Sequence, residues 1–215
     1  MSETTAAPAH QFETLEQQRE AATLGMWIFL ATEVLFFGGL FMGYTFVRWS
    51  YPEVFEQASH RLDATIGGVN TAVLLLSSLT MALAVKSAQL GKRNALVAFL
   101  SLTALLGILF LGFKAIEYHG DYVDHIVPGI PSYHFEGPSA PQAELFFWIY
   151  FAMTGLHAIH VTVGIIVIAI MAALAWRRSF SPEHYMPIEV TGLYWHFVDI
   201  VWVFLFPLLY LVGHR

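Results

Sequence analysis

Residues 24–47 read LGMWIFLATEVLFFGGLFMGYTFV. Glu33 is the one charged residue in this stretch, and no proline interrupts it. A helix crosses the hydrocarbon core of a bilayer with about 20 mostly apolar residues. The stretch meets that length, and it lacks the period-two alternation of a half-buried strand. Backbone groups in lipid must be satisfied within their own segment, so a helix is required. Four further stretches qualify on the same grounds: Ile66 to Leu90, Ala95 to Tyr118, Glu144 to Trp176 and Val190 to Val212. The expected fold class is an all-α membrane protein. It is a bundle of five transmembrane helices (24–47, 66–90, 95–118, 144–176 and 190–212) after a polar tail, residues 1–23.

Composition agrees. Of 215 residues, 57% are hydrophobic and 12% are charged, about half the charged share of a soluble domain. There is no cysteine, which excludes disulfides, thiolate metal sites and thiol nucleophiles. The net charge is −6 with no basic tract, so nucleic acid is not an expected partner. The tail carries Glu13, Glu16 and Glu20 against Arg19. It lacks the basic start and small-residue cleavage site of a secretory signal, and is expected to stay in the cytoplasm.

Orientation is read from Lys and Arg. With the N-terminus inside, Arg19, Lys86, Lys92, Arg93, Arg177 and Arg178 fall on the cytoplasmic side. Arg48, Arg61, Lys114 and Arg215 fall outside. The bias favours a cytoplasmic N-terminus and an outer C-terminus. The longest loop, residues 120–141 with Asp121 and Asp124, is then expected to face out.

Charged groups within the spans cost about 2.5–3.5 kcal/mol each to insert, so each asks for a reason. Glu33 lies near mid-membrane. Two readings stand beside each other: a proton-linked group, and a carboxyl hydrogen-bonded to a neighbouring helix. His157 and His160 are three residues apart and share a face with Tyr150 and Thr154. A metal site normally wants more ligands, so interhelical hydrogen bonding is the preferred reading. In the last span His196 and Asp199 share a face with Gly192, Trp195 and Trp202. They can pair with each other or reach His157 or His160, as a fixed polar network or a proton relay. Lys114 and Glu117 can pair near the outer interface, unless Lys114 snorkels to it. Gly39 and Gly43 are spaced for close helix approach. Arg177 and Arg178 sit where lipid headgroups lie.

Four of these stretches carry a resemblance. They are Ala31-Thr32-Glu33-Val34-Leu35-Phe36-Phe37, Glu117-Tyr118, Gly155-Leu156-His157-Ala158-Ile159-His160-Val161, and Tyr194-Trp195-His196-Phe197-Val198-Asp199-Ile200-Val201-Trp202. In this order they resemble subunit III of cytochrome c oxidase and its haem-copper relatives, over nearly the whole chain from residue 24. The longer family form has seven helices, and the matching stretches fall on the last five. The resemblance implies a non-catalytic accessory subunit of a proton-pumping terminal oxidase that reduces O2 to water in aerobic respiration. Haem and copper are then expected in partner subunits, with no metal and no catalytic residue here. The implied partners are subunit I as the main contact, subunit II, small subunits where present, and bound phospholipid. The implied location is the bacterial inner membrane. Glu33 corresponds to the family's mid-membrane carboxylate and Arg177 to a basic lipid-contacting side chain. Glu33 followed by Val-Leu-Phe-Phe is closer to the cytochrome c branch than to the quinol branch, which is the alternative.

Two other classes compete. A proton-coupled transporter would use Glu33 and Asp199, but no internal repeat or mid-span helix break is visible. A membrane haem or di-metal enzyme would use His157, His160 and His196, and spacing alone leaves that open.

Overall fold

The computed structural model describes residues 11–130, 133–134, 140–177, 180 and 185–213. These form six helices and, among the described residues, no strand: α1 (Leu15–Ser50), α2 (Pro52–Ser59), α3 (Ala64–Gln89), α4 (Arg93–Val123), α5 (Ala140–Trp176) and α6 (Met186–Tyr210). All but α2 are long and apolar enough to cross a membrane.

Helix ends follow local chemistry more than hydropathy. α1 starts within the polar tail because the Thr14 hydroxyl accepts from the Gln17 N–H at 3.1 Å, capping the first turn. At 36 residues it is about 54 Å long, well beyond a bilayer core. Pro52 then opens α2, a short helix that hydropathy does not mark. Asp63 caps α3 by accepting from Thr65 and Ile66 N–H groups at 2.8 and 3.1 Å. Gly91, at φ 67°, turns the chain back from α3 into α4 in a conformation that favours glycine. α4 runs on to Val123 and so takes in Asp121, which the sequence places in the following loop.

Helices α3, α4, α5 and α6 form a closed ring, in which α3 and α5 each pack on both α4 and α6. α1 lies outside this ring, mainly against α6 and more lightly on α5. α2 packs on the start of α5, where Phe55 meets Phe146 at 5.1 Å and Tyr44 of α1 at 5.5 Å. The Tyr44 hydroxyl donates to the Leu208 carbonyl, tying the end of α1 to α6.

Close packing does not use the expected glycines. A Cβ at Gly39 or Gly43 would meet nothing within 4 Å. The close approaches lie inside the ring, where Trp195 wedges between α4 and α5. A Cβ at Gly107 or at Gly164 would lie 2.8 Å from its indole. Glycines are needed there because a flat, buried ring replaces the side chain that would fill the helix interface.

Candidate functional site: paired polar groups between the helices

Glu33 on α1 and His160 on α5 meet. Glu33 Oε2 lies 3.1 Å from His160 Nε2, and both side chains are 18% exposed. The other ring nitrogen, Nδ1, lies 2.8 Å from the Leu156 carbonyl. A carbonyl only accepts, so Nδ1 carries a hydrogen. The Nε2–Oε2 bond then needs one proton between the two groups. Either a protonated carboxyl donates to neutral imidazole, or imidazolium donates to carboxylate. Phe37 packs edge-on against the His160 ring at 5.1 Å, and the Tyr194 hydroxyl donates to the His160 carbonyl at 3.1 Å. Both contacts hold the ring and its helix in place.

His157 faces elsewhere. It is buried inside the ring of helices, against Phe110 at 5.6 Å and Trp202 at 5.1 Å. Three residues amount to 300° of helix, and the remaining 60° sends the two histidines to different neighbours. Of the options open to His196 and Asp199, pairing with each other is not made. His196 Nδ1 lies 2.7 Å from the Ser78 hydroxyl on α3. Asp199 is buried with no hydrogen-bond partner within normal geometry among the described residues, although the same Ser78 lies beside it. His157, His160 and His196 therefore have three separate environments. Among the described residues no three metal-ligating side chains come together.

A second cluster forms at the other end of α4. Lys114 is 3% exposed, and Glu117 and Asp121 are 6% exposed. Lys114 does not snorkel. Its Nζ donates to Glu117 Oε2 at 3.0 Å, to the Tyr210 hydroxyl at 2.8 Å and to the Tyr150 hydroxyl at 3.2 Å. That accounts for all three ammonium hydrogens. The Tyr210 hydroxyl in turn donates to Glu117 Oε1. The Tyr150 hydroxyl lies 2.8 Å from the same oxygen and 3.3 Å from Asp121 Oδ2. The rings of Tyr118, Tyr150, Trp202 and Tyr210 surround the ammonium at 4.9–5.6 Å. Their negative faces stabilise the cation where water does not reach. This cluster draws α4, α5 and α6 together. Tyr150 and Tyr210 are members that spacing along α4 cannot suggest, and Asp121, one turn past Glu117, joins them because α4 runs on beyond the apolar stretch.

The opposite end of α5 is capped by a side chain that reads in the sequence only as a topology charge. Arg93 Nε donates to the Ala175 carbonyl at 3.2 Å, and its Nη2 donates to the Trp176 carbonyl. These are among the carbonyls a helix C-terminus leaves unpaired. Arg177 is exposed just beyond. Arg178 lies outside the described residues.

A ring of four apolar helices with an outlying fifth, in which Glu33 and Lys114 are met by side chains of neighbouring helices, defines a multi-pass membrane protein. The family described as cytochrome c oxidase subunit III matches residues 1–126 and 132–214. Subunit 3 of the cytochrome bo(3) ubiquinol oxidase of Pseudomonas aeruginosa is 31% identical over 195 residues, 88% of this chain and 84% of that one. Cytochrome c oxidase subunit 3 of Synechocystis sp. is 32% identical over 193 residues, 87% of this chain and 74% of that one. The subunit of the same name from Alkalihalophilus pseudofirmus is 31% identical over 208 residues, 96% of this chain and 93% of that one. The chain belongs to the cytochrome c oxidase subunit III family, the accessory third subunits of haem-copper oxidases.

Proposed function

We propose that this subunit serves a proton-pumping oxidase that takes electrons from cytochrome c, in the bacterial inner membrane. It packs mainly on subunit I, beside subunit II. Haem and copper are held by those partners, and the chemistry of O2 reduction stays with them. The role of this chain is to stabilise subunit I, its bound lipids and its proton uptake. The observation that carries the proton-linked reading is the Glu33–His160 pair, one proton shared between two titratable groups 3.1 Å apart. It joins the outlying α1 to the ring of helices, where a partner subunit or lipid has access to it.

An N-terminus in the cytoplasm is supported by the charge count. Lys114 is buried in a helix and drops out as a loop charge. Arg19, Lys86, Lys92, Arg93, Arg177 and Arg178 then stand against Arg48, Arg61 and Arg215. Arg177, exposed at the cytoplasmic end of α5, is placed to meet a phospholipid phosphate.

A quinol oxidase is the second reading. It is favoured by the Pseudomonas relative, which matches as well as the cytochrome c oxidase subunits do. Purification through a C-terminal tag in mild detergent tests both. Co-purified haem-copper subunits, with haem left on the large subunit after this one is stripped away, support the accessory role. Oxygen uptake by that complex on reduced cytochrome c supports the first reading, and uptake on quinol alone the second. A chain that comes down alone and colourless overturns both.

A further inference from the structure

Three buried side chains in the ring of helices stand apart from the bonds described above. Asn70 on α3, His157 on α5 and Asp199 on α6 are at least nine-tenths buried, and neither polar atom of any of them has a hydrogen-bond partner of normal geometry among the described residues, although Ser78 lies beside Asp199. They lie on three helices that meet at Trp202. The His157 ring lies 5.1 Å from the Trp202 ring. The Trp202 indole N–H donates at 3.0 Å to Thr71, the residue next to Asn70. Asp199 precedes Trp202 by three residues, one turn along α6.

Native proteins leave few buried polar atoms unpaired, and six within one ring of four helices call for a ligand. The donor set says which kind. Asn70 offers a donor and an acceptor, neutral His157 one of each, and Asp199 two oxygens. A metal would find no use for the Asn70 amide N–H groups, and an apolar ligand would satisfy none of the six. Water both donates and accepts, and buried water normally makes two to four hydrogen bonds to groups like these. We propose that water molecules occupy the interior of the α3–α6 ring around Trp202, bound by Asn70, His157 and Asp199. The core of this subunit is thus a hydrated polar site within the membrane. Through Ser78, which lies beside Asp199 and bonds His196, the site leads to an imidazole at the edge of the ring.

Hydroxyl-radical footprinting of the intact oxidase complex by X-ray pulses, read by mass spectrometry, tests this. Radicals made from bound water oxidise the side chains beside it, whatever their exposure to bulk solvent. His157 and Trp202 are expected to be modified several-fold faster than Met81 and Phe146, which are equally buried. Modification of His157 and Trp202 no faster than of Met81 would overturn the proposal. Asn70→Leu gives an independent readout. In a hydrated core it removes partners from bound water, so the melting midpoint of the complex falls and His157 labelling drops. In a dry core it removes two unpaired polar atoms, so the midpoint rises, which also contradicts the proposal.

Discussion

Replacing Lys114 by Met tests whether the buried cluster on α4 is held by charge compensation. Met keeps the length and apolar stem of the side chain but removes the charge and all three donors. Glu117 Oε2 loses its partner at 3.0 Å, while Oε1 keeps the two tyrosine hydroxyls. Removing one member of a buried ion pair costs about 3–5 kcal/mol. The remaining tyrosine bonds place the expected loss at the low end, about 3 kcal/mol. Glu117→Gln should cost less. The ammonium keeps two tyrosine oxygens and four ring faces, with Asp121 nearby as a second countercharge. The double variant Lys114→Met, Glu117→Gln removes both members of the pair and leaves only Asp121, which the Tyr150 hydroxyl reaches at 3.3 Å, so it should recover much of the loss. The assay is the apparent midpoint for release of this subunit from the purified complex on heating in detergent, at one fixed scan rate because such transitions are seldom reversible. The expected order of midpoints is wild type, then double variant, then Glu117→Gln, then Lys114→Met. A double variant as weak as Lys114→Met would show that shape matters there and charge does not.

Three further expectations are independent of that cluster. Glu33→Gln should leave the subunit in the purified complex, because an amide N–H can still donate to His160 Nε2; Glu33→Lys puts an ammonium near mid-membrane with no countercharge beside it and should lose it, as immunoblotting of the complex would report. Gly164→Ala drives a methyl group to 2.8 Å from the rigid Trp195 ring and should cost about 1–3 kcal/mol, whereas Gly39→Ala, with nothing within 4 Å, should be silent in the same heating assay. Tyr44→Phe removes the hydrogen bond to the Leu208 carbonyl, a loss of about 1 kcal/mol, and should make the α1–α2 joint the first site cut in limited proteolysis.

Hydrophobic run length determined the five spans, because lipid admits backbone only as satisfied helix. The four stretches around Glu33, Glu117, His157–His160 and His196–Asp199 pointed to the family, and the match over residues 1–126 and 132–214 agrees. Helix ends were less legible. Hydropathy reports where lipid is, whereas α1 begins at a threonine cap in the polar tail and α4 carries Asp121 past the apolar run. The partners of the polar groups came from tertiary structure alone. Spacing showed that His157 and His160 lie near one face, but the packing of α1 and α6 against α5 decided that one meets Glu33 and the other Trp202. Likewise the sequence brought Lys114 within a turn of Glu117, and only the return of α5 and α6 supplied Tyr150 and Tyr210. A side chain's periodicity fixes the direction it leaves its own helix. What it meets depends on the rotation and distance of helices far away in the chain, set by contacts such as the Trp195 wedge between Gly107 and Gly164.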